Sequence, residues 1–313
     1  LTIDDREVPV KIQPAVVFLV MLAGCGGGGG GSSTPSTPTP TPPPPLRLYA
    51  AGDGNPSNAI AYFTAPFTAS STPTGSIATA SGGEIAGLAI DSHGNVIASD
   101  QNENTITSYA RPTPTTSTLF ALSPGFTPTG IAYDVSGNFY VADYTDGKVD
   151  KASSVPLSSA TTFTTLIAST LAPAAICFDE AQNLYVVNGT GGIVSAYAPP
   201  YTGTPISVNV GVSNVFGCAV STPYNQLAVY HPGIGTGSVY IYNLPLTAAS
   251  MPAVTFAFTT TSPTGLGADS SGNLYVGVDT PGIQIYTPPF ANASTPTLTI
   301  PAVNAVHDIT FGT

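Results

Sequence analysis

From Leu46 onward, apolar residues come in short runs, some alternating with polar positions and some unbroken, and each run stops at a cluster of Gly, Pro, Asn or Asp. Such runs, rich in Val, Ile, Tyr and Phe, predict strands joined by tight turns. The clearest unit is GIAYDVSGNFYVAD, Gly130 to Asp143, which reads as strand, turn, strand. It recurs as GLAIDSHGNVIASD from Gly87, as AICFDEAQNLYVVN from Ala175, as GLGADSSGNLYVGV from Gly265 and, more loosely, as GCAVSTPYNQLAVYH from Gly217. Turn chemistry accounts for the DxxGN segments: Asp accepts backbone N–H bonds, and Gly-Asn suits the positive φ of a hairpin.

Counted by the residue before each second strand (Arg47, Asn95, Asn138, Asn183, Gln226, Asn273), the unit repeats every 43 to 48 residues. That length fits four short strands. After the first pair comes a third strand ending in Tyr (Tyr62, Tyr109, Tyr197, Tyr242, Tyr286), then a Pro-containing turn and a fourth strand. One copy is split, with its second strand LYAAG at Leu48 and its first strand DITFG at Asp308 to Gly312. A four-stranded unit exposes two apolar faces that it cannot bury alone, whereas a ring of units buries both. The pattern therefore predicts an all-β, six-bladed β-propeller of four-stranded antiparallel blades over residues 46–313, closed by pairing the C-terminal strand with the first N-terminal strands. Small residues in mid-strand, Ala89, Ala132, Cys177, Ala219, Gly267 and Thr310, let the innermost strands crowd the axis.

Composition agrees and narrows the partners. Gly (33) and Pro (31) are abundant, Trp is absent and only 7% of residues are charged, a mixture suited to strands and turns. Beyond residue 25, four basic residues (Arg47, Arg111, Lys148, Lys151) face fourteen acidic ones, so nucleic acid is not an expected partner. Cys177 and Cys218 lie in apolar strands and read as small buried residues, with a disulfide between them as the lesser alternative.

The first 45 residues have a different character. Arg6 and Lys11 precede the apolar run AVVFLVMLA, Ala15 to Ala23, too short to cross a bilayer but suited to a signal-peptide core. It ends in Leu22-Ala23-Gly24-Cys25, which resembles the lipobox of bacterial lipoproteins. The resemblance implies a signal peptide over 1–25, with Cys25 lipidated and the protein held at the cell envelope through its acyl chains. Gly26 is not the Asp of the familiar inner-membrane retention signal, which favours the outer membrane or cell surface in a host with two membranes. Residues 26–45, six glycines and then SSTPSTPTPTPPPP, have no apolar face and read as a linker that holds the domain roughly 40 Å from the lipid.

PTGIAYDVSGNFYVADYTDGKV (Pro128 to Val149) and PTGLGADSSGNLYVGV (Pro263 to Val278) resemble NHL repeats, and residues 46 to 313 as a whole resemble six-bladed NHL and SMP-30/gluconolactonase-like propellers. That resemblance implies the architecture and leaves function open, since such rings serve as binding scaffolds and as enzymes. The lactonase branch implies a divalent cation, usually Ca²⁺, held in the channel by Glu, Asn and Asp. Here the corresponding column reads Ala86, Thr129, Ala174, Phe216, Thr264 and His307, without a carboxylate or an amide. No metal or other cofactor is expected from it. His307 beside Asp308 is the one pair in it with acid–base chemistry.

The second strands end in Asp100, Asp143, Asn188 and His231, with Asp279 one residue further along, and these could ring a common mouth as ligand-binding residues. Each could equally cap its own loop. No GxSxG, CxxC or HExxH motif is present, and no catalytic residue is assigned. The expectation is a monomeric, lipid-anchored binding or scaffold module for a protein or other ligand. The alternatives are a hydrolase or lactonase with a divergent site, and a binder of cell-wall or extracellular glycans that stack on exposed tyrosines.

Overall fold

The computed structural model describes residues 44–313 except 53–58, 80–82, 112–116, 122–124, 154–155, 169, 234–235, 260–264, 279–281, 302–304 and 313. Cys25 and the linker before Pro44 lie outside the described residues, as do Thr264 and Asp279.

Twenty-four strands form six four-stranded antiparallel sheets among the described residues. Blade I holds β1 (Arg47–Gly52), β2 (Ile60–Thr64) and β3 (Gly75–Ile77). Blade II holds β4 (Ile85–Ile90), β5 (Val96–Asp100), β6 (Thr105–Tyr109) and β7 (Ser117–Ala121). Blade III holds β8 (Pro128–Tyr133), β9 (Phe139–Asp143), β10 (Lys148–Ala152) and β11 (Phe163–Ile167). Blade IV holds β12 (Pro173–Phe178), β13 (Leu184–Asn188), β14 (Ile193–Tyr197) and β15 (Ile206–Asn209). Blade V holds β16 (Gly217–Ser221), β17 (Gln226–His231), β18 (Thr236–Asn243) and β19 (Val254–Thr259). Blade VI holds β20 (Leu266–Ala268), β21 (Leu274–Gly277), β22 (Ile283–Tyr286) and β23 (Leu298–Ile300). The fourth strand of blade I is β24 (Val306–Gly312), which pairs with β1 from Arg47↔Gly312 to Gly52↔Val306. The ring is therefore closed by backbone hydrogen bonds between the two ends of the domain.

The core lies between blades. Because side chains alternate along a strand, each strand feeds both neighbouring interfaces, which is why the strands read as unbroken apolar runs. In β1, Leu48 and Ala50 pack with Tyr275 and Ile283 of blade VI, while Tyr49 and Ala51 pack with Leu88 and Val96 of blade II. Six such clusters occur among the described residues, one for each interface, including that between blades VI and I. Near the axis the innermost strands approach backbone to backbone. A Cβ on Gly130 would lie 2.6 Å from Cα of Ala175, so only glycine fits there.

One expectation is corrected and one is narrowed. Cys177 and Cys218 form a disulfide, with Cα atoms 6.2 Å apart, that joins β12 to β16. Strand alternation explains it, because Ala175 and Cys177 of blade IV and Cys218 and Val220 of blade V all point into one interface. Several of the repeat tyrosines also lie inside, whereas Tyr224 is exposed and Tyr144 is half-buried. Tyr49, Tyr140, Tyr185, Tyr230, Tyr242 and Tyr286 are fully buried between blades. Tyr140, Tyr185 and Tyr275 each donate the phenol O–H to a turn carboxylate, which lets a polar ring end sit in an apolar interface.

Candidate functional site

The two ends of the ring treat their polar groups differently. At the end carrying the β4–β5, β8–β9, β12–β13 and β20–β21 hairpins, Asp91, Asp134, Asp179 and Asp269 each accept the backbone N–H and the side-chain amide of the Asn four residues on, at 2.7–2.9 Å. Gly94, Gly137 and Gly272 supply positive φ of 79°, 79° and 82° in three of these turns. Burial works against the Asp134 carboxylate, but bonds from Asn138, Tyr140 and Ser136 outweigh it and hold the group below its ordinary range. These acids are engaged by the turns themselves.

At the opposite end the ring opens into a mouth of about 420 Å³. Its floor is the column before the inner-strand glycines: Ala86, Thr129, Ala174, Phe216 and His307. Its wall adds Glu84, Gln101, Tyr144 and Pro232. Gly189 sets the aromatic side, since a Cβ there would lie 2.9 Å from Cε2 of Tyr144 and 3.2 Å from Cε1 of Phe216. Both rings rest on that glycine. The polar side is the pair His307 Nδ1 and Glu84 Oε1, 3.6 Å apart. The side-chain amide of Gln101 and the hydroxyl of Tyr144 make no hydrogen bond among the described residues.

Beneath the mouth a channel cavity of about 100 Å³ runs along the axis, lined by Leu88, Ile131, Ile176, Cys218, Leu266 and Ile309, with Asp308 among them. Asp308 occupies the place that Gly87, Gly130, Ala175, Gly217 and Gly265 take in the other blades. Its carboxylate accepts N–H bonds from Leu88 of blade II at 2.6 Å and from Ile309 at 2.9 Å, so it fastens blade I to blade II. Removal from bulk water pushes its pKa up to about 7, against the pull of those two donors. The side chain still borders the channel, whose narrow space hydrates a charge less well than bulk solvent does.

Of the residues expected at the mouth, the structure places His307 there and engages Asp100, Asp143, Asn188 and His231 in contacts of their own loops. Asp100 is buried and caps its loop by accepting the N–H groups of Asn102 and Glu103 at 3.1 and 3.0 Å. Buried Asp143 accepts from Thr127 N–H at 3.0 Å and lies 3.4 Å from Lys148 Nζ. Asn188 is buried and donates Nδ2–H to the Ile193 carbonyl at 3.1 Å. His231 donates Nδ1–H to the Asn214 carbonyl at 2.8 Å. Asp279 lies outside the described residues. At three blades the residue immediately after the expected one, Gln101, Tyr144 and Pro232, faces the mouth instead, and Gly189 carries the rings at the fourth. The chain turns inward at the cap, and its next side chain points to the opening.

The cation implied by the lactonase resemblance does not fit this mouth. The described floor offers no carboxylate, and Asp308, one residue deeper, has an N–H donor on each oxygen. No group of three or more His, Cys, Asp or Glu side chains suited to a metal occurs among the described residues. Ca²⁺ requires six to eight oxygens, several of them charged.

No protein-family model matches the chain, and no curated protein does. Solved structures do. A chain of a nidogen/laminin complex superposes with a TM-score of 0.65 at 17% identity, covering 86% of this chain and 98% of that one. A gluconolactonase from Xanthomonas campestris gives 0.58 at 11%, covering 83% and 89%. Virginiamycin B lyase from Staphylococcus aureus gives 0.55 at 11%, covering 82% and 90%. At these identities the likeness concerns the fold: the chain is a six-bladed β-propeller with structural neighbours in a nidogen/laminin complex and among gluconolactonase-type proteins.

Proposed function

We propose that this protein is an envelope-facing binding module, tethered by a lipid on Cys25, that holds a small sugar-type ligand in the mouth of its propeller. The carrying observation is the two-sided pocket. Tyr144 and Phe216 form an apolar wall on Gly189, and Glu84, Gln101 and His307 supply donors and acceptors from the floor and the remaining wall. A sugar ring offers matching chemistry, with a C–H face for the aromatic wall and hydroxyls for the polar groups. The Gly- and Ser/Thr/Pro-rich sequence of residues 26–45, which has no apolar face, supports a stand-off from the membrane, and the absence of carboxylates from the described floor of the mouth supports binding over metal-assisted hydrolysis.

A second reading has one observation in its favour. His307 and Glu84, 3.6 Å apart in the pocket, are an acid–base pair of the kind a hydrolase uses.

The test is calorimetric titration of the full chain with a panel of monosaccharides and short oligosaccharides. Saturable binding weakened at least tenfold by Phe216→Ala and by Gln101→Ala supports the reading. Binding unaffected by either change, or no binding to any saccharide, counts against it. A substrate turned over by the wild type but not by Glu84→Gln moves the hydrolase reading forward.

A further inference from the structure

The four basic residues of the propeller divide sharply. Lys148 sits among Asp143, Asp146 and Asp150, 3.4, 2.8 and 3.8 Å from their oxygens. Lys151 lies over the Tyr140 ring, 5.5 Å from its centre. Arg47 and Arg111, distant in sequence, line one cleft between blades I and II at the turn end, with Tyr62 and Tyr109 between them.

Among the described residues, neither guanidinium forms an ion pair or donates a hydrogen bond, in a chain whose net charge is −11. Arg47 Nε is buried with no partner, a state that native proteins seldom leave unanswered. Arg47 is held in place by Tyr62, whose ring centre lies 5.2 Å from its Cζ. Arg111 is held by its own backbone N–H on Asn95 Oδ1 at 3.3 Å and by packing on the Gly94 turn, where Nη1 would lie 3.0 Å from an added Cβ. The carboxylate of that turn, Asp91, is occupied by the N–H groups of His93 and Asn95 and by Asn95 Nδ2, at 2.8–2.9 Å. Asp91 is thus engaged by its own turn and pairs with neither arginine.

We infer that this cleft binds a tetrahedral oxyanion, such as phosphate, free or as a terminal ester. Two planar forks, each made to take a pair of oxygens, suit a group with three or more oxygens, whereas a carboxylate fills only one fork. The enclosed part of the cleft is about 10 Å³, room for a single water, so the anion is held at the rim between the guanidiniums and larger ligands project outward. Arg47 and His307 stand at opposite ends of the β1–β24 ladder, and five residues of strand separate His307 from Gly312, roughly 16 Å. The site is thus distinct from the mouth, and either can fail without the other.

The experiment is calorimetric titration of the full chain with inorganic phosphate at constant ionic strength. The expected result is saturable one-to-one binding that Arg47→Met and Arg111→Met each weaken at least tenfold. Arg111→Lys, which keeps the charge and loses the fork, should also weaken it. Arg111 lies two residues beyond the end of β6 and tests the inference even where Arg47→Met impairs folding. Equal affinity for glycerol phosphate would mean that the site reads terminal esters, and affinity for inorganic phosphate alone would mean the free ion; both uphold the site. Absence of saturable binding, or undiminished binding in the double methionine variant, would overturn it.

Discussion

The ring carries a hollow at each end, about 420 Å³ at the mouth and about 390 Å³ at the turn end beside Asp91, His93 and Asp134. Their volumes are similar and their chemistry is opposite. At the turn end, four copies of one motif use Asp and Asn to fold a hairpin and, in three of them, to bind a tyrosine hydroxyl. At the mouth the blades diverge. One contributes Phe216, another Tyr144, another Gln101 and the closing blade His307, and Gln101 and Tyr144 keep their polar groups for solvent or ligand. Where the repeat is kept, its polar groups maintain structure; where it is broken, they become available.

The largest expected effect breaks the frame that holds both ends. Deleting β24 removes the β1 ladder and the Asp308 bond to Leu88, and it exposes the blade VI–I interface. The truncated chain should lose its cooperative thermal transition by circular dichroism, and a melt like that of the full chain would show that the ring does not need its closure.

Next is the Cys177–Cys218 bond, which closes a 41-residue loop between blades IV and V. Replacing both cysteines with Ser should cost about 3 to 4 kcal/mol in urea unfolding. Reduction of the wild type should reproduce the loss.

Asp308 gives a smaller effect with a distinctive pH signature. Its folded-state pKa of about 7 lies above the ordinary 3.8, so the folded protein holds this proton more tightly than the unfolded chain does. The associated stability is fully present below about pH 4 and is lost as pH rises to 7, on the order of 2 to 4 kcal/mol and less where channel water solvates the carboxylate. Asp308→Asn should flatten unfolding free energy across that window, and an unchanged slope would remove Asp308 as its source.

The smallest pair of effects separates the two ends directly. Asp269→Ala should lower stability by about 1 to 2 kcal/mol through the lost turn bonds and leave ligand affinity at the mouth unchanged. Gly189→Ala should do the reverse, displacing Tyr144 and Phe216 and weakening the ligand with little change in melting.

The architecture was legible in the sequence because the turn motif recurs at a regular spacing and each copy carries its own explanation. The split copy even located the closing strand. The mouth was harder to read because its residues follow no repeat. The column containing Phe216 and His307 was identified, yet the wall residues Gln101 and Pro232 were overshadowed by the Asp and His preceding them, whose polarity looked functional and serves loop capping. The disulfide stood as the lesser alternative because both cysteines sit in apolar runs, and only inter-blade alternation shows that they face each other. Tyr140, Tyr185 and Tyr275 are hard to place for a related reason: their hydroxyls reach the turn Asp residues from inside an interface, a contact that spans six residues in three of the repeats and looks unremarkable in the sequence.

The most direct test of the contrast between the two ends is the melting temperature of the full chain in EDTA and again in millimolar Ca²⁺. A mouth with a single carboxylate, Glu84, paired with His307, above an Asp308 already engaged by two N–H donors, predicts the same transition in both. A rise of several degrees with Ca²⁺ would mean that the folded state holds a cation, would contradict the proposed sugar seat, and would return the mouth to metal-dependent lactone chemistry.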